Sequence, residues 1–294
     1  MPILAGGRLT GKAGDFTVGA LNIQTDDASV RAVGTNFSVI RVKRDILRRS
    51  RIGGIFTGRS TRPASAVDGD PGSNQVYGVD AAFAFYDNVN VEGYYARSQT
   101  LGVASQDASY QTAFTYNGDL YAFQVDQLRV GDRFNPEIWF LRRKDFRRTF
   151  SMAQYSPRPA LRAVRQFTWG ASLDYIENDT TGQLETRMLQ ARFRTEFENS
   201  DPLSVDVQDS HELLVEPFDI APGDGMSIPV GGYGFVDTFA SYRLGQQRRL
   251  SGSSPGSSAS NIRARTSRQS ALTNSPRVLR WRGIDVVTDA KHTS

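Results

Sequence analysis

The chain is predicted to be all-β: an antiparallel meander of about a dozen strands, wound into an incomplete β-barrel of the transmembrane type. Three observations predict this. Bulky apolar side chains alternate with small or polar ones over most of residues 1–250. The connections from residue 58 to residue 136 run long, short, long, short, long. Cysteine is absent, so no disulfide framework can organise the fold instead.

The clearest strand covers residues 77–86. Tyr77, Val79, Ala81, Phe83 and Phe85 point one way, and Gly78, Asp80, Ala82, Ala84 and Tyr86 the other. After Asp87-Asn88 the arrangement repeats, with Val89, Val91, Gly93 and Tyr95 opposed to Asn90, Glu92, Tyr94 and Ala96. A second pair turns at Asn117-Gly118, a strong hairpin signal. It carries Tyr110, Thr112, Phe114 and Tyr116 into the turn and Tyr121, Phe123 and Val125 out of it, with Ala122, Gln124 and Asp126 opposite. Tight turns at 87–88 and 117–119 between longer links at 58–75, 98–108 and 128–136 match the rhythm of outer-membrane barrels.

The other elements follow the same period. Residues 3–10 and 16–25 read as a hairpin, interrupted by Gly6, Gly7 and Gly19. Residues 36–44 set Ser38, Ile40 and Val42 against Phe37, Val39, Arg41 and Lys43, and a turn at 45–50 leads to a strand at 51–57. Beyond the second hairpin, strands are expected at 137–143, 146–155, 161–176, 183–197, 203–215 and 233–243. In the last of these Tyr233, Phe235 and Phe239 share a face with Asp237. A barrel built this way turns Asp80, Asn90, Glu92, Gln124, Asp126, Asp174, Arg192, Arg194 and Glu196 inward as a mixed-charge lining.

Composition excludes several function classes. The formal charge of +4 belongs to the end of the chain: residues 244–294 hold nine Lys or Arg and two Asp or Glu, which leaves 26 against 29 for residues 1–243. No basic nucleic-acid-binding fold accompanies it, so no nucleic-acid partner is expected. No apolar run is long enough for a membrane-spanning helix, and residues 1–14 do not read as a secretion signal. Glycine-rich phosphate loops, nucleophile elbows and zinc or calcium spacings are missing, and His211 and His292 stand apart. No cofactor, metal or catalytic residue is assigned.

The densest chemistry lies in residues 131–148, GDRFNPEIWFLRRKDFRR. Gly131, Asp132, Asn135 and Pro136 break regular structure, Ile138 to Leu141 favour a strand, and Arg142, Arg143, Lys144, Arg147 and Arg148 put five cations into seven positions. Such a cluster must face water, pair with carboxylates such as Asp145, or bind an anion. Asp132, Glu137, Arg142, Arg143, Arg147 and Arg148 are therefore the candidate binding residues, at the mouth or in the lumen. Asp132 and Glu137 are also the first carboxylate pair to test for acid–base work on a sugar bond.

Six separate segments carry a resemblance: LTGKAGDFTVGALNIQT, TNFSVIRVKRDILRRSRIGGIFTGRS, YGVDAAFAF with YNGDLYAF, VGDRFNPEIWFLRRKDFRR, LLVEPFDI and IPVGGYGF. In that order, over residues 3–250, the chain resembles the bacterial outer-membrane β-barrel domain of unknown function that typically follows a family 9-type carbohydrate-binding module. The resemblance implies a Gram-negative outer-membrane location, lipid as a partner and a link to glycans, and it implies no catalytic residues. The upstream module and later barrel strands that it also implies are not in this sequence, which reads as an internal fragment.

The expected function is a channel, receptor or uptake component. The alternatives are a soluble β-sheet carbohydrate-binding protein and a glycan hydrolase. Two regions are expected, a partial barrel at 1–250 and a Ser- and Arg-rich tail at 251–294, the latter disordered or read in a shifted frame.

Overall fold

The computed structural model describes residues 2–27, 34–61, 72–100, 107–138, 141, 143–219, 227–244, 253–254 and 258–265. Among them the chain is all-β. Twelve strands follow one another as β1 (Ile3–Ala13), β2 (Phe16–Thr25), β3 (Thr35–Ile46), β4 (Ser50–Thr61), β5 (Ser73–Phe85), β6 (Val89–Thr100), β7 (Asp107–Asn117), β8 (Tyr121–Val130), β9 (Phe146–Tyr155), β10 (Val164–Asn178), β11 (Leu184–Phe197) and β12 (Pro202–Leu214). Each pairs antiparallel with the next. A two-stranded ladder, β13 (Phe218–Asp219) with β14 (Ser227–Ile228), precedes β15 (Gly231–Arg243), which pairs with β12. At the far edge β15 takes up β16 (Ser253–Ser254) and β17 (Ser258–Arg265). The result is a fifteen-stranded meander that does not close, because β1 pairs with β2 alone.

Two expectations about extent change. The described residues of 137–143 do not form a strand: Glu137 and Ile138 lie in a turn, and Leu141 and Arg143 have no regular structure. β8 pairs directly with β9 instead, from Tyr121↔Tyr155 to Val130↔Phe146. With that edge filled, the intervening segment has no ladder to join, and its breakers Gly131, Asn135 and Pro136 keep it a loop. Pairing also runs on to Arg265, into the stretch expected as tail, whereas residues 266–294 fall outside the described residues.

The register decides the faces. Phe56↔Tyr77, Val79↔Tyr95, Tyr95↔Tyr110, Phe114↔Val125, Tyr121↔Tyr155, Trp169↔Tyr155, Trp169↔Phe193 and Phe193↔Val205 put a continuous apolar surface on one side. Its rings touch across strands, with centroids 5.1 Å apart for Tyr121–Tyr155, 5.9 Å for Tyr155–Trp169 and 5.5 Å for Trp169–Phe193. None of the described residues covers it: Val79 is 61% exposed, Leu189 49% and Trp169 43%. The opposite side runs through Asp80↔Tyr94, Tyr94↔Gln111, Ala113↔Asp126, Asp126↔Phe150 and Phe150↔Asp174. All nine residues expected as a lining fall on this side.

The pattern inverts at β15. Asp206↔Phe239, Ser210↔Phe235 and Glu212↔Tyr233 set large rings on the polar side, while Val207↔Thr238 and Val205↔Ala240 leave small residues on the apolar one.

Short turns gather at one end of the sheet and are tied to each other there. Ser156 N–H donates to Leu120 O at 2.8 Å, and Arg158 Nη2 donates to Asp119 Oδ1 at 2.7 Å. Hydrogen bonds from Arg158 hold the Asp119 carboxyl below the usual carboxylate range. The native interaction is complete above the unfolded carboxylate's ordinary value, about 3.9, and is lost as pH falls through the lowered folded value. NMR titration should place the Asp119 midpoint below ordinary aspartates, and Arg158→Gln should restore it. An identical midpoint in the variant would show that the turns are not joined by this pair.

Candidate functional site

The segment between β8 and β9 folds back over the polar side of the sheet. Its apolar anchor is Phe134, 6% exposed and packed with Val76 and Val130, against which Ala96, Leu128, Leu141 and Phe146 also rest. Its backbone is held by side chains from the sheet. Asn74 Nδ2 donates to Asn135 O at 2.8 Å and to Thr100 Oγ1 at 3.0 Å, and Asn135 N–H donates to Ser98 Oγ at 3.0 Å. These bonds satisfy peptide groups that have no strand partner. Arg59 meets Glu137 at 2.9 Å, and Asn135 Nδ2 donates to Glu137 Oε1 at 3.1 Å.

Beneath this loop is a chamber of about 430 Å³. Residues from β3 through β9 line it, among them Arg41, Ile55, Gly78, Tyr94 and Ser109, so this side of the sheet is concave. Gly78 makes the room, since a Cβ there would stand 2.9 Å from Ile55 Cγ2 and face Ala96. The polar groups of the wall are paired: Arg41 with Asp80 at 2.5 Å and Tyr94 Oη with Ser109 Oγ at 3.0 Å. Gly53 accepts the first pair, because a Cβ would stand 2.9 Å from Arg41 Nη2 and 3.0 Å from Asp80 Oδ1.

Further along the concave side Arg148 donates through Nε and Nη2 to both Asp174 oxygens, at 2.8 and 2.7 Å, and lies over the Phe150 ring. The two-pronged geometry suits a planar guanidinium on a carboxylate. Asp126 nearby is 6% exposed, accepts from Gln111 Nε2 at 2.5 Å through Oδ2, and leaves Oδ1 without a hydrogen bond among the described residues.

The candidate residues are thereby separated. Arg147 faces the apolar side, one position from Arg148, and bridges Glu177 Oε1 at 3.3 Å and Asp179 Oδ1 at 2.9 Å, where Arg129 also binds Asp179 at 2.7 Å. Arg143 pairs with Glu185. Glu137 belongs to the pinned loop, whereas Asp132 is exposed beside Arg133 at 3.4 Å, so the two carboxylates are held by different partners. Arg142, like Trp139, lies outside the described residues. Asp145 pairs with none of the described arginines Arg143, Arg147 and Arg148. It closes its own turn at φ 56°, accepting from Asn178 Nδ2 at 2.9 Å and Thr180 Oγ1 at 2.7 Å. Sequence reasoning missed Asn74, Ser98 and Arg59, which come from strands distant in the chain; the one available signal was their position at the ends of strands that border long links.

If Asn74 pins the loop, Asn74→Ala costs about 1–3 kcal/mol of local stability and exposes the segment. Trypsin should then cut after Arg143 or Lys144 faster than in the parent, with far-UV circular dichroism unchanged. Asn22→Ala, on a strand remote from the loop, serves as control. Equal cutting in all three proteins would show that the pin is elsewhere.

No family model, curated protein or solved structure matches this chain, and the reading of the site rests on its residues and their geometry.

Proposed function

We propose that this chain is part of an outer-membrane β-barrel that acts as a channel or receptor for a polar solute. One observation carries the reading: from β3 to β12 large apolar side chains such as Val79, Trp169 and Leu189 lie exposed on one face of the sheet, while ion pairs such as Arg41–Asp80 and Arg148–Asp174 lie on the other. In a water-soluble sheet the apolar face is the one covered; in a membrane barrel the order is reversed and lipid covers it. Rings mark both borders of the band. Tyr77, Tyr95, Tyr110 and Tyr175 lie toward the long-loop end, and Phe85, Phe114, Tyr121, Tyr155 and Trp169 toward the short-turn end. From Tyr77 to Phe85 is about 26 Å along the strand, or about 20 Å once strand tilt is included, near the height of a lipid-facing band.

The concave side suits a hydrated lumen, and the pinned loop narrows it as a constriction. Paired charges such as Arg148–Asp174 and Arg41–Asp80 keep that lining polar without strong net charge. The family resemblance supports the outer-membrane location and is the sole support for a link to glycans. A hydrolase gains nothing from the geometry, since Glu137 is committed to Arg59 and the loop.

Two measurements test the reading. Val79→Arg, on the lipid face near mid-strand, should cost about 2–4 kcal/mol in refolding into bilayers, and Ala82→Arg on the concave face much less; equal costs would reject the membrane assignment. In planar bilayers Arg148→Gln should shift ion selectivity toward cations, while Arg147→Gln on the outer face should not. A shift from Arg147 alone would place the pore on the wrong side of the sheet.

A further inference from the structure

At the short-turn end, far from the pinned loop, a second pocket opens on the concave side of β11, β12 and β15, with a volume of about 280 Å³. Arg192, Arg194 and Arg243 line it together with Ser204, Ser241 and Asp206. The register explains the convergence. Arg194 lies opposite Ser204, which lies opposite Ser241, and Arg243 follows two residues along β15. β11 and β15 flank β12 at about 10 Å from backbone to backbone, so arginines leaning in from either side meet above the two short serines.

The carboxylates that could neutralise this group are mostly engaged elsewhere. Glu196 takes Arg165 at 2.8 Å. The fully buried carboxyl of Asp201 accepts the Tyr242 hydroxyl at 2.6 Å on the opposite side of the sheet. Among the described residues that line the pocket Asp206 is the one carboxylate, and Arg192 Nε already donates to it. Arg194 and Arg243 have no hydrogen-bonded or ionic partner among the described residues. The serine hydroxyls are hydrogen-bonded to each other at 2.8 Å, which leaves one O–H to donate on the pocket floor.

We propose that this pocket is an anion site for a tetrahedral oxyanion carrying two charges, such as a phosphate or sulfate group. Guanidinium forks present parallel N–H donors that match the oxygen spacing of such a group, and the charge of three arginines against one aspartate calls for more than one negative charge. A phosphorylated or sulfated solute moving along the concave face would be held here at the short-turn end. The site depends only on three neighbouring strands and stands whether or not the sheet lies in a membrane.

The test is calorimetric titration of the full chain with inorganic phosphate, and separately with sulfate, at constant ionic strength set with chloride. Saturable one-site binding is expected for both. Arg194→Gln and Arg243→Gln should each weaken it about tenfold or more, Asp206→Asn should tighten it by freeing Arg192, and Arg8→Gln on the distant β1 should leave it unchanged. Absence of saturable binding, or equal weakening by Arg8→Gln and Arg194→Gln, would overturn the proposal. Phosphate binding in detergent by a chain that fails the bilayer test above would retain this site and remove the channel reading.

Discussion

The described sheet depends on one antiparallel register from β1 to β12, which shifts only near the ends of the β1–β2 and β10–β11 pairings. Side chains in a strand alternate with period two, so a slip of one residue anywhere in the meander would exchange the two faces for every strand beyond it. The register holds across eleven consecutive pairings, and the apolar surface is continuous as a result. At the same positions it delivers Arg41 to Asp80, Arg148 to Asp174 and Arg192 to Asp206 on the concave side. Each of these pairs joins residues far apart in the chain that the ladder makes neighbours.

That register also explains why so few residues are buried. Among the described residues the apolar core is confined to Val76, Ala113, Val130 and Phe134. A sheet this wide with one covered face would bury a row of large side chains on every strand. Among the described residues the internal cover is the loop between β8 and β9, and the core lies where that loop touches the sheet. Its hold combines apolar packing by Phe134 with hydrogen bonds from Asn74 and Ser98, each to a peptide group that would otherwise be unsatisfied away from water.

The cation cluster next to that loop shows how little proximity in sequence says about chemistry. Arg147 and Arg148 are adjacent and point to opposite sides. One joins a surface network with Glu177, Asp179 and Arg129; the other joins Asp174 over an aromatic ring. Arg194 and Arg243, by contrast, are 49 residues apart and are brought to one pocket by β12 between them.

The sequence by itself determined the strands, their approximate ends and the partition of each into two faces, because alternation is a local property written in residues such as Tyr77 to Phe85. It determined the short turns at Asp87-Asn88 and Asn117-Gly118 for the same reason. It could not decide residues 137–143, where an apolar run of high β-propensity reads as a strand although β8 and β9 pair with each other and leave no place between them. Nor could it pair the arginines, since Asp174, Glu177, Asp179 and Glu185 become neighbours only once β10 and β11 lie beside β9. The side of the sheet on which Tyr233, Phe235 and Phe239 lie was settled by tertiary structure alone. Their common face is legible in the sequence, but which way it turns depends on the register of β15 against β12, which residues 215–230 between them do not dictate by their number.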